Sequence, residues 1–182
     1  MRNAWGSTIG NEEKKKVATN ILSGKRVMKR IKLLVENWLE ILKSPVVISQ
    51  SFEFDGAEWE IWLYPRGAGV HKYYYASMFL CVKHPHRMQA GWTRRIRFRI
   101  EIKNRKYPSQ SIGKRCSTVC SDVAGSRDEV VAREPFSEHL TSFGVEKLIK
   151  LSELDGERGW LQDGAFCCHI ELSTPDEGSP EA

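Results

Sequence analysis

The chain has 182 residues, of which 41% are hydrophobic and 28% charged, a length and balance typical of one globular domain. No run of about 18 uncharged apolar residues is present, which argues against a membrane-spanning helix. Residues 1–26 lack the apolar stretch of a secretory signal. The net charge of +5 is unevenly distributed, since residues 83–115 are strongly basic and residues 116–182 strongly acidic. The total charge therefore does not by itself indicate a nucleic-acid-binding protein.

The cysteines indicate a reducing compartment. They are odd in number, two of them are adjacent, and none forms a Cys-x-x-Cys pair: Cys81, Cys116, Cys120, Cys167 and Cys168. A zinc site would require the loop at 116–120 to lie beside His169, and reduced thiols are the simpler interpretation. We therefore expect no metal and no cofactor, and a cytoplasmic or nuclear location.

The first 43 residues divide into a tail and an ambiguous segment. Residues 1–26 are polar and basic, and we predict a flexible tail. In residues 27–43 one set of apolar positions has helical spacing: Val27, Ile31, Leu34, Trp38 and Ile41. Another set has the period of a strand: Val27, Ile31, Leu33 and Val35. Both alternatives stay open, and the helical one would allow a homo-oligomer through residues 12–43.

From Pro45 onwards the pattern is that of short strands separated by turns. Asp55-Gly56 and residues 65–69 are typical turns. Between them Trp59, Ile61 and Leu63 alternate with Glu60, Trp62 and Tyr64. In residues 75–82 either face could be the core, because Phe79 and Cys81 are apolar like their neighbours. Residues 95–102 alternate most regularly, with Ile96, Phe98, Ile100 and Ile102 on the predicted core face.

The last third of the chain gives weaker signals. Residues 103–135 contain only scattered strand formers, and residues 145–154 have the spacing of a short helical turn. A final strand follows at 165–172, and residues 173–182 form an acidic tail that we expect to be disordered. Several short strands with one brief helix predict an all-β, antiparallel β-sandwich with flexible termini.

Five segments in this order resemble the MATH domain, the meprin and TRAF homology family. WEIWLYPRG at 59–67 resembles its Trp-x-Ile-x-x-Tyr-Pro-x-Gly hairpin, and YASMFL at 75–80 resembles its Tyr-Leu-Ser-Leu-Tyr-Leu strand. Phe98 matches its Phe-x-Phe-x-Ile strand, and FGVEKLI at 143–149 resembles its Trp-Gly-Phe-x-x-Phe-Ile segment. GWLQDG at 159–164, with the last strand, resembles its closing block. The resemblance implies a TRAF-like sandwich over residues 27–172.

The resemblance also implies a function. A MATH-like sandwich would bind extended peptide segments of partner proteins in a groove, as a non-catalytic substrate-recruiting or adaptor domain in ubiquitin-linked or signalling pathways. The groove residues of the family correspond here to Phe79, Ile96, Phe143, Gly144 and Val145. Phe143 and Val145 replace the family's Trp and second Phe, so the specificity of the groove should differ. The sequence contains no motif of a hydrolase or a nucleotide-binding loop, which agrees with a protein that is not an enzyme.

A basic stripe provides the alternative function. Arg94, Arg95, Arg97 and Arg99 lie along one predicted strand, and alternate members would form a positive surface for nucleic acid or an acidic partner. No aromatic residue lies between these arginines on their face to stack against a base, which argues against nucleic acid.

Overall fold

The computed structural model describes residues 27–118, 129–132 and 134–175, which form two β-sheets packed face to face. In chain order the elements are β1 (Met28–Val35), α1 (Trp38–Ile41), β2 (Val47–Ile48), β3 (Phe52–Phe54), β4 (Ala57–Tyr64), β5 (Tyr75–Val82), β6 (Arg97–Ile102), β7 (Ile112–Ser117), β8 (Glu129–Val131), β9 (Ser142–Lys150), β10 (Leu161–Gln162) and β11 (Ala165–Ser173). The six-stranded sheet has the order β1-β11-β6-β7-β8, and β10 pairs with β11. The five-stranded sheet has the order β2-β4-β5-β9, and β3 pairs with β4. The predicted all-β sandwich with one short helix is confirmed.

The ambiguous segment at 27–43 is a strand followed by one helical turn. β1 pairs antiparallel with β11 from Met28↔Ser173 to Val35↔Phe166. Asn37 then has a left-handed φ of 55°, which ends the extended conformation, and α1 follows. The Trp38 ring lies 5.5 Å from the Phe166 ring and closes this end of the core. The strand alternative is therefore correct for β1, while residues 1–26, with the predicted tail, lie outside the described residues.

The core lies between the two sheets, at the alternate positions that the sequence predicts. In β4 every second residue is buried, and Trp59 and Leu63 are fully inaccessible. In β5 the face with Met78 and Leu80 is the core face, which resolves the ambiguity of that strand. Ile100 and its neighbours at period two in β6 are also buried, as predicted. Burial of these large apolar side chains supplies the main favourable free energy of folding.

One local prediction was wrong, and one strand pair differs from the others. Residues 145–154 do not contain a short helical turn of the predicted extent, because most of them belong to β9 and only Leu151–Glu153 forms a single 3-10 turn. The pairing of β9 with β5 shifts between Ala76 and Met78, so that buried residues come in adjacent pairs and imitate helical spacing. The sandwich also departs from a purely antiparallel arrangement, since β7 and β8 pair in parallel. No helix in the part of the chain that the structure describes is long and apolar enough to cross a bilayer.

Candidate functional site

A row of three residues crosses the outer face of the five-stranded sheet. Trp62 of β4 pairs with Phe79 of β5, which pairs in turn with Gly144 of β9. Trp62 and Phe79 are half-buried although their side chains face away from the core. The Phe79 ring meets the Tyr64 ring nearly at right angles, with centroids 5.6 Å apart, which is a favourable edge-to-face contact. Three aromatic side chains therefore form an apolar surface on a face where strands of a sandwich are usually polar.

This aromatic row forms the floor of an open groove, which we call the aromatic groove. The groove has a volume of about 480 Å³. It is lined by residues of β4 and β5, by the β4–β5 loop, by the start of β9 and by the proline before β2: Trp62, Tyr64, Arg66, Gly67, Ala68, Gly69, Lys72, Phe79, Cys81, Ser142 and Pro45. An open apolar concavity with a few polar groups at its margins is the usual form of a binding site.

The two ends of the aromatic groove differ in charge. At one end Glu60 accepts a hydrogen bond of 3.1 Å from the Trp62 indole. At the other end the β4–β5 loop contributes Arg66 and Lys72, whose cationic groups lie 6.0 and 5.2 Å from the centre of the Tyr73 ring. These distances are typical of cation–π contacts. An occupant of the groove therefore meets two cationic groups at the loop end, and one that extends past Trp62 meets the carboxylate of Glu60.

The floor of the groove holds a thiol and a phenol that stay uncharged at neutral pH. Burial, assisted by the negative charge of Glu60, raises the pKa of the Cys81 thiol to about 12. Burial and the nearby Cys81 raise the pKa of the Tyr64 hydroxyl. A thiol with so high a pKa is a poor nucleophile, because the reactive form is the thiolate. The groove thus has the chemistry of an apolar binding surface.

β9 borders the groove and ends the strand order of its sheet. Among the described residues one edge of β9 pairs with β5, and no strand is assigned to the other edge. An edge strand presents backbone N–H and C=O groups to which a further strand can be added. The aromatic groove and the edge of β9 are therefore neighbouring surfaces that one extended segment could contact together.

The five residues predicted to line a groove are not brought together on one surface. Phe79 and Gly144 lie in the row described above. Ile96 and Val145 are buried between the sheets, with 0% and 3% of their surface exposed, which contradicts a lining role. Phe143 is half-buried and turns towards the other sheet, where its ring lies 6.2 Å from that of Phe98.

Gly144 has a different structural role from the one expected. Gly144 was predicted to line the groove, but the backbone that lies against it is that of β5. A Cβ built at Gly144 would lie 2.2 Å from the Met78 carbonyl oxygen and 2.6 Å from the Phe79 Cα. The position therefore requires glycine because the two strands approach so closely beside the register shift.

Sequence reasoning missed Trp62 and Tyr64 as site residues. The alternation of β4 placed both of them, with Glu60, on the face opposite Trp59 and Ile61. Two large aromatic side chains on the solvent face of a half-buried strand are unusual, and this signal was sufficient to locate the groove.

The basic stripe is divided by the structure. Arg94 turns to the β3–β4 turn, where its Nε donates a hydrogen bond of 2.8 Å to the Asp55 carbonyl oxygen. Arg97 and Arg99 lie instead on the outer face of the six-stranded sheet, between β11 and β7. Arg95 is exposed and precedes this strand. The four arginines therefore do not act as one surface.

The candidate metal ligands do not come together in the described ranges. There, the His, Cys, Asp and Glu side chains form no group of three or more that could hold a metal ion. Cys116 and Cys167 are buried, and burial strongly raises the pKa of Cys168, which follows Cys167 in sequence. Cys120, the remaining candidate ligand, lies outside the described residues.

Three comparisons relate the chain to known proteins. A family model described as MATH domain matches residues 30–172. Protein RESTRICTED TEV MOVEMENT 3 of Arabidopsis thaliana is 25% identical over 150 residues, which cover 82% of this chain and 44% of that protein. A MATH domain and coiled-coil domain-containing protein of the same plant is 29% identical over 133 residues, which cover 71% of this chain and 33% of that protein. The chain thus spans less than half the length of these relatives.

A solved structure supports the same fold. TRAF5 of Notothenia coriiceps superimposes with a TM-score of 0.52 at 12% identity, over 86% of this chain and 75% of that one. At this identity the likeness concerns the fold alone.

Proposed function

The chain belongs to the MATH domain family, and we propose that it binds extended peptide segments of partner proteins along β9 and the aromatic groove. MATH domains have a TRAF-like fold that mediates protein–protein interactions. The observation that supports a peptide ligand is the position of the aromatic groove next to the edge of a terminal strand. Such an edge supplies backbone hydrogen bonds, and an adjoining apolar surface supplies selectivity for side chains.

The groove favours a particular kind of peptide. An apolar or aromatic side chain would pack against Trp62, Phe79 and Tyr64, where the loss of water-exposed apolar area stabilises the complex. Residues on either side would meet Glu60 at one end and Arg66 with Lys72 at the other. We therefore expect ligands with a central apolar residue, a basic residue on one flank and an acidic residue on the other.

The cellular role follows from the same proposal. A peptide-binding domain without chemistry of its own would serve as a substrate-recruiting or adaptor domain in a ubiquitin-linked or signalling pathway, in the cytoplasm or nucleus. The neutral Cys81 thiol in the groove supports binding over nucleophilic catalysis. Homo-oligomerisation through residues 12–43 stays a prediction, and within that range β1 is already paired with β11.

The proposal can be tested with peptides selected from a random display library on the folded chain. Phe79→Ala and Trp62→Ala should each weaken the selected peptides about tenfold or more, since each removes an aromatic contact from the floor of the groove. Tyr107→Ala is the matched control, because Tyr107 is an aromatic residue that is 43% exposed and does not line the groove. Thermal denaturation of each variant checks that it is folded.

Two results would contradict the proposal. One is that the library yields no peptide that binds reproducibly. The other is that selected peptides bind the Phe79 and Trp62 variants as tightly as the original chain, which would place the binding surface elsewhere.

A further inference from the structure

A second surface, on the opposite side of the sandwich, is strongly basic. On the outer face of β1, β11, β6 and β7, six cationic side chains accompany two carboxylates, Glu101 and Glu171. The cationic side chains come from three strands and the residue that follows β6: Arg30, Lys32, Arg97, Arg99, Lys103 and Arg115. We call this surface the basic face. It is remote in topology from the aromatic groove, which lies on the outer face of the other sheet.

The register of the strands places three arginines in one row of the basic face. Arg30, Glu171, Arg99 and Arg115 are successive partners across β1, β11, β6 and β7. The Arg99 guanidinium lies over Gly113 of β7, where an added Cβ would be only 2.7 Å from one of its nitrogens. The missing side chain of Gly113 therefore leaves room for the Arg99 guanidinium against the sheet, where its Nη2 also lies 3.7 Å from Glu101 Oε1. A guanidinium with such contacts loses less conformational entropy when it binds an anion.

The two carboxylates do not neutralise the basic face. Arg30 Nε lies 3.2 Å from Glu171 Oε2, and Lys103 Nζ lies 2.7 Å from Glu101 Oε2. The Lys103 hydrogen bond holds the pKa of Glu101 below its ordinary value, so this carboxylate is ionised at neutral pH. With these ion pairs formed, the six cations of β1, β6, β7 and Lys103 still exceed the two carboxylates by four, and Glu129 of β8 is the register partner of Arg115. Opposite charges on a binding partner are the natural complement of such an excess.

We propose that the basic face binds an extended, acidic segment of a partner protein, rich in Asp or Glu. Arg97 and Arg99 project from β6 at a spacing of two residues, which is about 6.8 Å along a strand. An extended segment with a carboxylate at every second residue has the same repeat. Carboxylates accept single or paired hydrogen bonds from guanidinium groups, and on this face Arg30 Nε already donates one of 3.2 Å to Glu171.

The composition of the face favours a protein segment over nucleic acid. The outward residues of β1, β11, β6 and β7 include no Phe, Tyr or Trp side chain on which a base could stack, and the ring present among them is the imidazole of His169. Glu101 and Glu171 lie among the cations and would repel a continuous line of phosphates. A segment whose carboxylates are spaced by neutral residues can pair with the arginines and avoid both glutamates.

A fluorescent peptide of alternating Glu and Ser residues tests the proposal by anisotropy at moderate ionic strength. Replacing Arg97 and Arg99 together by Gln should weaken binding about tenfold, since two charge-assisted contacts are removed. Lys43 and Arg158 replaced together by Gln form the matched control, because they lower the net charge equally on exposed side chains outside the basic face. That control should change the affinity less than about twofold.

Three outcomes would overturn the proposal. Equal losses in the two double variants would mean that only net charge is being measured. Tighter binding of a single-stranded oligonucleotide, or of vesicles containing phosphatidylserine, with the same dependence on Arg97 and Arg99 would assign the face to nucleic acid or to a membrane. If a peptide of the same composition, with its Glu residues in adjacent pairs, bound as tightly as the alternating peptide, the match between the carboxylate spacing and the strand repeat would be excluded. Phe79→Ala should leave this binding unchanged, so it is measured independently of the aromatic groove.

Discussion

The Ser77 hydroxyl lies 2.6 Å from the backbone carbonyl oxygen of Glu146 and donates a hydrogen bond to it, at the point where the pairing of β5 with β9 shifts register. The Ser77 hydroxyl oxygen in turn accepts a hydrogen bond of 3.0 Å from the Ala68 backbone N–H in the β4–β5 loop. Ser77 is fully buried although it belongs to the outer face of the sheet. One side chain thus connects two strands and a loop at the end of the aromatic groove.

Replacing Ser77 by Ala should lower the free energy of unfolding by about 1–3 kcal/mol, since it leaves the Ala68 N–H and the Glu146 carbonyl without this partner. Urea denaturation measures the change. Ser51→Ala is the matched control, because Ser51 hydrogen-bonds Glu58 at a half-buried site and its loss should cost less. If Ser77→Ala were as stable as the original chain, the hydroxyl bridge would have no role in holding the register shift.

Gly144→Ala should destabilise the chain by about 1–3 kcal/mol or more, because its Cβ would collide with backbone atoms of Met78 and Phe79. Gly156→Ala is the control, since an added Cβ there meets the Leu161 carbonyl oxygen at an ordinary distance of 3.6 Å. The measurement is again the midpoint of urea denaturation for both variants. Equal stability of Gly144→Ala and the original chain would show that β9 can move away from β5.

The sequence was sufficient to predict the buried positions where a strand is regular, and insufficient where the strand pairing is irregular. The alternation in β4 and β6 identified the core because each residue on one face is buried. In β9 the register shift breaks the period of two, and the positions of Val145 and Ile149 therefore resembled those of a helix. The groove was located only in part, since Phe79 was found while Ile96 and Val145 are buried. Which strands lie side by side depends on contacts distant in sequence, and a local pattern does not contain them.

Phe136 directly follows the stretch at 103–135 that gave weak signals, yet it is a central core residue. It is 0% exposed, and its ring meets the Trp59 ring edge-on at 4.9 Å. Its backbone exchanges two hydrogen bonds of 2.9 Å with Arg94, which holds the loop against the five-stranded sheet. A single isolated bridge has no periodicity, which is why sequence reasoning did not identify it.

Phe136→Ala should destabilise the chain by about 3–5 kcal/mol, because it removes a fully buried aromatic side chain and leaves a cavity beside Trp59. Phe136→Leu should cost less, since it keeps most of the buried volume. Urea denaturation curves fitted with one common m-value give the difference in free energy of unfolding between the two variants. A loss for Phe136→Ala no greater than that for the exposed Tyr107→Ala would mean that the Phe136 ring is not part of the core.

The turn between β3 and β4 gives a prediction about pH. Asp55 and Gly56 both have positive φ, at 50° and 67°, and Asn-Gly is the pair that such a hairpin turn favours. Burial raises the pKa of Asp55 above its ordinary value of 3.8, and this effect exceeds the opposing attraction of Arg94. The folded state therefore binds the proton of this carboxyl more tightly than the unfolded state does. The contribution of Asp55 to stability falls as the pH rises from 3.8 through its raised pKa.

Asp55→Asn keeps the left-handed turn and the backbone hydrogen bond from Arg94, and it removes the titrating group. Relative to the original chain, the variant should therefore gain stability as the pH rises through the range just above 3.8 and keep that gain at pH 7. Thermal denaturation at a series of pH values measures the difference. Asp163→Asn is the control, because Asp163 lies in a similar Asp-Gly turn between β10 and β11, with φ of 53° and 73°. It shows how much the change from Asp to Asn in such a turn alters the stability by itself. A relative stability of Asp55→Asn that instead falls with rising pH would show that the attraction of Arg94 outweighs burial.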